Sequence, residues 1–252
     1  MSKYYHLKKT AMSNIAITIA LLGAVSVSVP ASASPTAATI YKKMKTIYDT
    51  LHSFKGVIVL SYSSKTKTGK IFVVKKQVVA FSAPNKFHEV DTTTVTGAVH
   101  QTVHQSVICN GSMVYVLNPQ QKLYLKVKAP PKASPIALDP LRIDSVLLKG
   151  TTTQLGAKVY ILLAKQKFPP PPPGGTPQQV QNYNNAVKHS PPIVLYIDTS
   201  NYHLLKIKEG ELEQSYEDQQ VNGIVEASNF TVSIPKGYKL YSPTAAHGAP
   251  GR

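Results

Sequence analysis

The sequence predicts an exported, mainly β domain with a few helices (α+β), its strands mostly antiparallel. Three observations lead there. A short apolar leader ends in small residues, a long series of apolar/polar alternations is punctuated by turn residues, and one early stretch has helical spacing.

The leader comes first. Lys8 and Lys9 precede an uncharged apolar run from Ile15 to Val29, and Ala31-Ser32-Ala33 places small residues where a signal peptidase reads. The competing reading is a membrane anchor, but fifteen helical residues rise only about 22 Å against a hydrocarbon core of about 30 Å. Cleavage is expected after Ala33, giving a signal peptide over 1–33, a domain over 34–241 and a disordered tail over 242–252. No cysteine near the cleavage site offers a lipid attachment point.

Charge narrows the partners. The whole chain carries a net +16, and the leader removes three lysines and no acid, leaving +13. Arg142 and Arg252 are the only arginines. Lysine acts as a point charge, whereas bidentate readout of phosphate and base edges favours arginine. With its lysines dispersed, the chain fits diffuse attraction to an anionic membrane surface, or simple solubility, and not nucleic acid. The single cysteine, Cys109, excludes an internal disulfide and a cysteine metal site, and its strand-like setting predicts a buried thiol.

Each element has its own signal. Ile40, Met44, Ile47, Leu51 and Phe54 recur at four- and three-residue spacing, so Thr36–Phe54 reads as an amphipathic helix that starts at Ser34-Pro35 and ends near Ser53. Strands follow at Val57–Tyr62, Ile71–Val74 with Gln77–Phe81, Lys86–Asp91, Val99–Ile108, Met113–Leu117 and Lys122–Val127. Asn110-Gly111 marks a hairpin because both residues tolerate positive φ. Ile136–Leu148 reads as a helix capped by Gly150, and Gln154–Lys165 as a strand. The segment 168–191 is a proline-rich insertion ending in a short polar helix over Gln178–His189. Ile193–Asp198 and His203–Lys208 form a second hairpin, and Glu211–Tyr216 and Ile224–Ile234 close the domain.

These pieces, taken in order, resemble the LolA-like superfamily of outer-membrane lipoprotein carrier-like exported proteins. The resemblance is carried by Leu51-His52-Ser53-Phe54-Lys55-Gly56, Pro84-Asn85-Lys86-Phe87-His88-Glu89-Val90, Asn110-Gly111-Ser112-Met113-Val114-Tyr115-Val116, Leu195-Tyr196-Ile197-Asp198, Leu204-Leu205-Lys206-Ile207 and the run Asn229 to Tyr238. It implies an unclosed, strongly curved antiparallel half-barrel with helices in its concave face, enclosing a cavity for acyl chains. The carrier itself ties its helical lid with an arginine from an early strand. Here no arginine precedes Arg142, so the resemblance is to the wider superfamily.

Catalytic patterns are missing. There is no Gly-x-Ser-x-Gly elbow and no phosphate-cradling glycine loop. His100 and His104 are four apart on a β run, about 13 Å, which is too far for one zinc ion. Glu209, Glu211 and Glu213 alternate and would form an acidic row on one strand face. No catalytic residue, metal ligand or cofactor is expected.

The candidate ligand-binding residues are therefore apolar. Alternation groups Ile58, Leu60 and Tyr62; Met113, Tyr115 and Leu117; Leu123 and Leu125; Ile193 and Leu195; and Leu205 and Ile207, with Met44 and Ile47 opposite them from the helix. The same alternation would build a filled core. The expected function is a non-catalytic carrier or binder of lipid or lipoprotein acyl chains in the cell envelope. The alternative is a regulatory module that binds an envelope protein partner.

Overall fold

The computed structural model of the chain describes residues 34–66, 69–97, 100–132, 143–154, 156–171 and 173–241. The expected leader, the tail over 242–252 and the first part of the helix expected at 136–148 lie outside these residues. The described residues from Pro35 to Tyr241 belong to one compact unit. No helix among the described residues is long and apolar enough to cross a membrane.

The first helix, α1 (Ala37–Asp49), is shorter than its spacing suggested. Its N-cap is Thr36, whose hydroxyl accepts the Thr39 N–H at 3.2 Å. The buried stripe is Ile40, Met44 and Tyr48, each four residues from the last, while Ile47 is only partly buried. Phe54 is not helical: it belongs to the first strand and is fully buried.

The strands are β1 (Ser53–Thr66), β2 (Gly69–Ser82), β3 (Lys86–Thr96), β4 (Gln101–Asn110), β5 (Met113–Asn118), β6 (Leu123–Lys128), β7 (Ile143–Gln154), β8 (Ala157–Gln166), β9 (Ile193–Asp198), β10 (Leu204–Glu209), β11 (Leu212–Val221) and β12 (Lys239–Leu240). Helix α2 (Pro177–Lys188) lies between β8 and β9. Among the described residues these twelve strands make one open sheet in the order β12-β6-β5-β4-β3-β2-β1-β11-β10-β9-β8-β7. The sheet is two antiparallel meanders, β1–β6 and β7–β11, joined where β1 pairs with β11. Only β12 is parallel to its neighbour, β6.

Two expectations are corrected. Residues Ile143–Leu148 form the start of β7, not a helix, and Gly150 sits beside a register shift in that strand instead of capping a helix. The apolar residues there alternate, so Val146 and Leu148 face the core and Leu147 faces away. The Ile224–Ile234 run is not a strand. It contains a single 3-10 turn, Ala227–Phe230, whose Phe230 is buried.

The core cluster joins both meanders. Ile40, Met44 and Tyr48 meet Phe54, Ile58, Val79 and Phe81 from β1 and β2, and Leu162, Leu195, Leu204, Ile207 and Tyr216 from β8 to β11. Two bulges shape the seam. In β11, Asp218 and Gln219 together stand opposite Gly56, one residue more than the ladder needs, with Asp218 at φ 51°. In β10, Leu205 is the extra residue against β9. The first bulge presents Gln219 to the second. Gln219 Nε2 donates to the Leu204 carbonyl at 2.8 Å, and the Leu204 N–H donates to the Tyr48 hydroxyl at 3.1 Å. That hydroxyl donates in turn to Gln219 Oε1 at 2.8 Å. Burial pushes the Tyr48 phenol far above its usual range, so it remains a neutral donor.

Gly56 is fixed by this packing, because a Cβ there would lie 2.9 Å from the Phe54 ring and 3.0 Å from the Glu217 carbonyl oxygen. Gly56→Val should therefore cost about 1–3 kcal/mol by overpacking the seam. Tyr48→Phe should cost about 1–3 kcal/mol by leaving the buried Leu204 N–H unsatisfied. Urea unfolding of both variants checks this, and an unchanged midpoint for Tyr48→Phe would remove the assigned role.

Candidate functional site

Pairing register assigns every strand residue to a face, since directly opposed residues share one. The front face is the one carrying Phe54 and Ile58. Following the ladders from β1 gives Phe81, Val79, Gln77, Lys75 and Val73 on β2, then Phe87, Glu89, Asp91 and Thr93 on β3. It continues through Cys109, Val107 and Val103 on β4, Val114 and Val116 on β5, and Leu123 and Leu125 on β6.

This face has two parts of different character. Over β1, β2 and β8–β11 it is closed by the core cluster that includes the α1 stripe. Over β4–β6 it is apolar apart from Gln105, which stands opposite Asp91, and only half covered: Val107, Val114, Val116, Leu123 and Leu125 are half-buried, and Val103 and Val127 are exposed. A groove of about 680 Å³ opens here, walled by Val116, Leu123, Leu125 and Tyr241 and edged by Asn118 and Gln121. That volume lies within the range of about 300–1,000 Å³ typical of small-ligand sites.

Between the two parts runs a polar row. Lys75 Nζ lies 2.9 Å from Asp91 Oδ2 and 3.6 Å from Glu89 Oε1. Gln77 Nε2 donates to Asp91 Oδ1 at 3.1 Å and also to Glu89. Asp91 is only 8% exposed, so these partners are what make its burial tolerable. Burial, and then the hydrogen bond and charge of Asp91, raise the Glu89 carboxyl above its ordinary range, while Lys75 and Gln77 oppose the rise. No part of this row was visible as a cluster in the sequence, because its members come from two strands.

The candidate ligand residues divide accordingly. Met44, Ile58, Ile193, Leu195 and Ile207 lie in the closed core, with Ile47 packed against it. Leu60 and Tyr62 continue the front face of β1, half-buried and exposed respectively. Leu123 and Leu125 wall the open groove. Met113, Tyr115 and Leu117 point to the back face, because Leu117 pairs with Tyr124 while Val116 pairs with Leu125. Leu205 is the bulged residue of β10, and Leu204 takes the buried place that alternation would have given it. Sequence reading also missed Val116 and Tyr241. The acidic row does not exist: Gly210-Glu211 is the β10–β11 turn, so Glu211 pairs with Ser63 and Lys70, and Glu213 with Lys206 at 2.7 Å. Cys109 is buried. Among the described residues no three His, Cys, Asp or Glu side chains are grouped to hold a metal ion.

A carboxyl raised in the folded state binds its proton more tightly there than in the unfolded chain. Its contribution to stability is complete below the ordinary carboxylate range and is lost as pH rises through the raised value. Glu89→Gln should therefore gain stability relative to wild type as pH is raised from about 4, the ordinary carboxylate value, toward neutrality. Parallel stability curves in urea across that interval would show that Glu89 is not strained in the fold.

Residues 37–144 match the family described as "Predicted periplasmic protein (DUF2092)". No curated protein matches the chain. Among solved structures, it is similar to LprF from Mycobacterium bovis at 11% identity, covering 82% of this chain and 100% of that one, with a TM-score of 0.42. It is similar to the lipoprotein LppX of Mycobacterium tuberculosis at 11% identity, covering 75% and 96%, with a TM-score of 0.38. A LolA superfamily protein from Nitrosomonas europaea is 12% identical, with 79% and 99% covered and a TM-score of 0.27. The stretch 37–144 of the chain thus matches a family of predicted periplasmic proteins.

Proposed function

We propose that this is a periplasmic, non-catalytic binder of an apolar ligand, a lipid or the acyl chains of a lipoprotein, in the cell envelope. The signal peptide would be removed after Ala33, leaving a domain over 34–241. The observation that carries the reading is the half-covered apolar groove over β5 and β6, on the same face as the closed core. Leu123 and Leu125 would hold the ligand there, with Leu60 and Tyr62 offering further apolar surface on β1. Each buried methylene contributes about 0.8 kcal/mol, so a long acyl chain gains affinity without any charged contact. A curled, half-barrel arrangement of the sheet would bring the open strands round toward the helix side and deepen the groove. Dispersed lysines would draw the protein to anionic headgroups, where such a ligand is collected or delivered.

The test is organic extraction of the purified protein followed by mass spectrometry, paired with displacement of a fluorescent fatty-acyl probe. A stoichiometric lipid is expected, with saturable displacement weakened at least about ten-fold in Leu125→Lys, a penalty of the size expected for a charge placed in an apolar site. No extracted lipid and no probe binding would sink the reading in favour of a module that binds an envelope protein.

A further inference from the structure

A second hollow, of about 470 Å³, lies beside the far edge of the sheet, remote in the strand order from the groove over β5 and β6. Its floor is Leu147 and Leu163, directly opposed on β7 and β8 and facing away from the core that Val146, Leu148 and Leu162 enter. Phe168, at the start of the proline-rich segment, and Val187, near the end of α2, contribute apolar walls. Leu147, on the edge strand, is 56% exposed and so leaves apolar surface open to the hollow.

Helix α2 is held there without a core of its own. A Thr176–Gln179 capping box starts it, and Tyr183 donates its hydroxyl hydrogen to the Pro169 carbonyl. Val180, Tyr183 and Val187 form one stripe at i, i+3 and i+7, and all three are half-buried while no residue of the helix is fully buried. A twelve-residue helix is marginal alone in water and depends on what its apolar stripe covers.

The polar lining has one sign. Lys165 and Lys188 border the hollow, Ser145, Gln166 and Ser190 add neutral hydrogen-bonding groups, and no acid takes part. Neither lysine makes an ion pair among the described residues. The C-terminal end of α2 contributes the opposite polarity, about half a charge, which two full lysine charges outweigh.

We infer that this hollow is a second binding site, for a single acyl chain ending in a carboxylate. The chain lies along Leu147, Leu163, Phe168 and Val187, and the carboxylate sits between Lys165 and Lys188. The site is independent of the groove over β5 and β6 and stands whether or not that groove takes lipid.

Laurate titration tests it, read from the methyl resonances of Leu163 and Val187 at low ionic strength. Saturable shifts are expected in wild type and in Leu125→Lys. Affinity should fall at least about ten-fold in Lys165→Glu/Lys188→Glu, whose changes are at exposed positions, because two attractive charges become repulsive. The cationic amphiphile dodecyltrimethylammonium should reverse this order, binding the double variant better than wild type. The inference is overturned by absent shifts with laurate, by unchanged laurate affinity in the double variant, or by equal response to the two amphiphiles. Loss of these shifts in Leu125→Lys would also overturn it, by assigning the binding to the other groove.

Discussion

The pairing of β1 with β11 is the constraint on which the rest of the domain depends. Each meander is built from neighbours in sequence, and its ladders close over short turns except between β8 and β9, where the proline-rich segment and α2 intervene. The seam alone brings residues near the start of the domain against residues near its end, from Phe54 opposite Val221 to Ser61 opposite Glu213. Closing that long loop costs chain entropy that no turn offsets, so burial across the seam has to supply it. The side chains that do so come from three places: the α1 stripe, the first meander through Phe54 and Ile58, and the second through Leu204, Ile207 and Tyr216. Bulges on two strands leave the Leu204 amide and carbonyl to side-chain partners, and Tyr48 and Gln219 satisfy both. The helix is thereby tied to the second meander by a hydrogen bond as well as by packing.

From this seam the front face acquires its asymmetry. Near β1 the α1 stripe and the second meander complete the core. Further out, beyond the row of Lys75, Gln77, Glu89 and Asp91, the same face continues as valines and leucines that remain partly accessible. The polar row interrupts what alternation alone would make a continuous apolar sheet. Four polar groups can lie in so covered a position because each has a partner within the row.

The far edge follows a different logic. There β7 alternates between residues that enter the core and residues that face away, and the proline-rich segment and α2 stand beside the outward set. Proline prevents the segment from pairing as a strand, so it leaves the sheet, turns into the capped helix and returns at β9. The insertion thus adds apolar surface and a lysine next to an edge strand without adding to the sheet.

Much of the secondary structure could be read from residues alone, because local physics governs it. Turn chemistry at Asn110-Gly111 fixed one hairpin, and period-two alternation in Ile193–Asp198 was visible before any partner strand was known. The misreadings came where non-local partners decide. The stretch Ile143–Leu148 of a helix-like run is a strand because β8 offers it a ladder, and Phe54 leaves the helix stripe because β1 begins before it. Leu204 replaces Leu205 in the core because a bulge shifts the alternation by one. The separation of Met113, Tyr115 and Leu117 from Leu123 and Leu125 needed the β5–β6 register, since a period of two defines two faces but does not say which one looks inward. The sequence by itself determined the charge, the β-rich class and which residues alternate. Only the tertiary structure decided which faces meet, where the polar row lies and which apolar surface stays open, because these follow from strand pairing between residues distant in the chain.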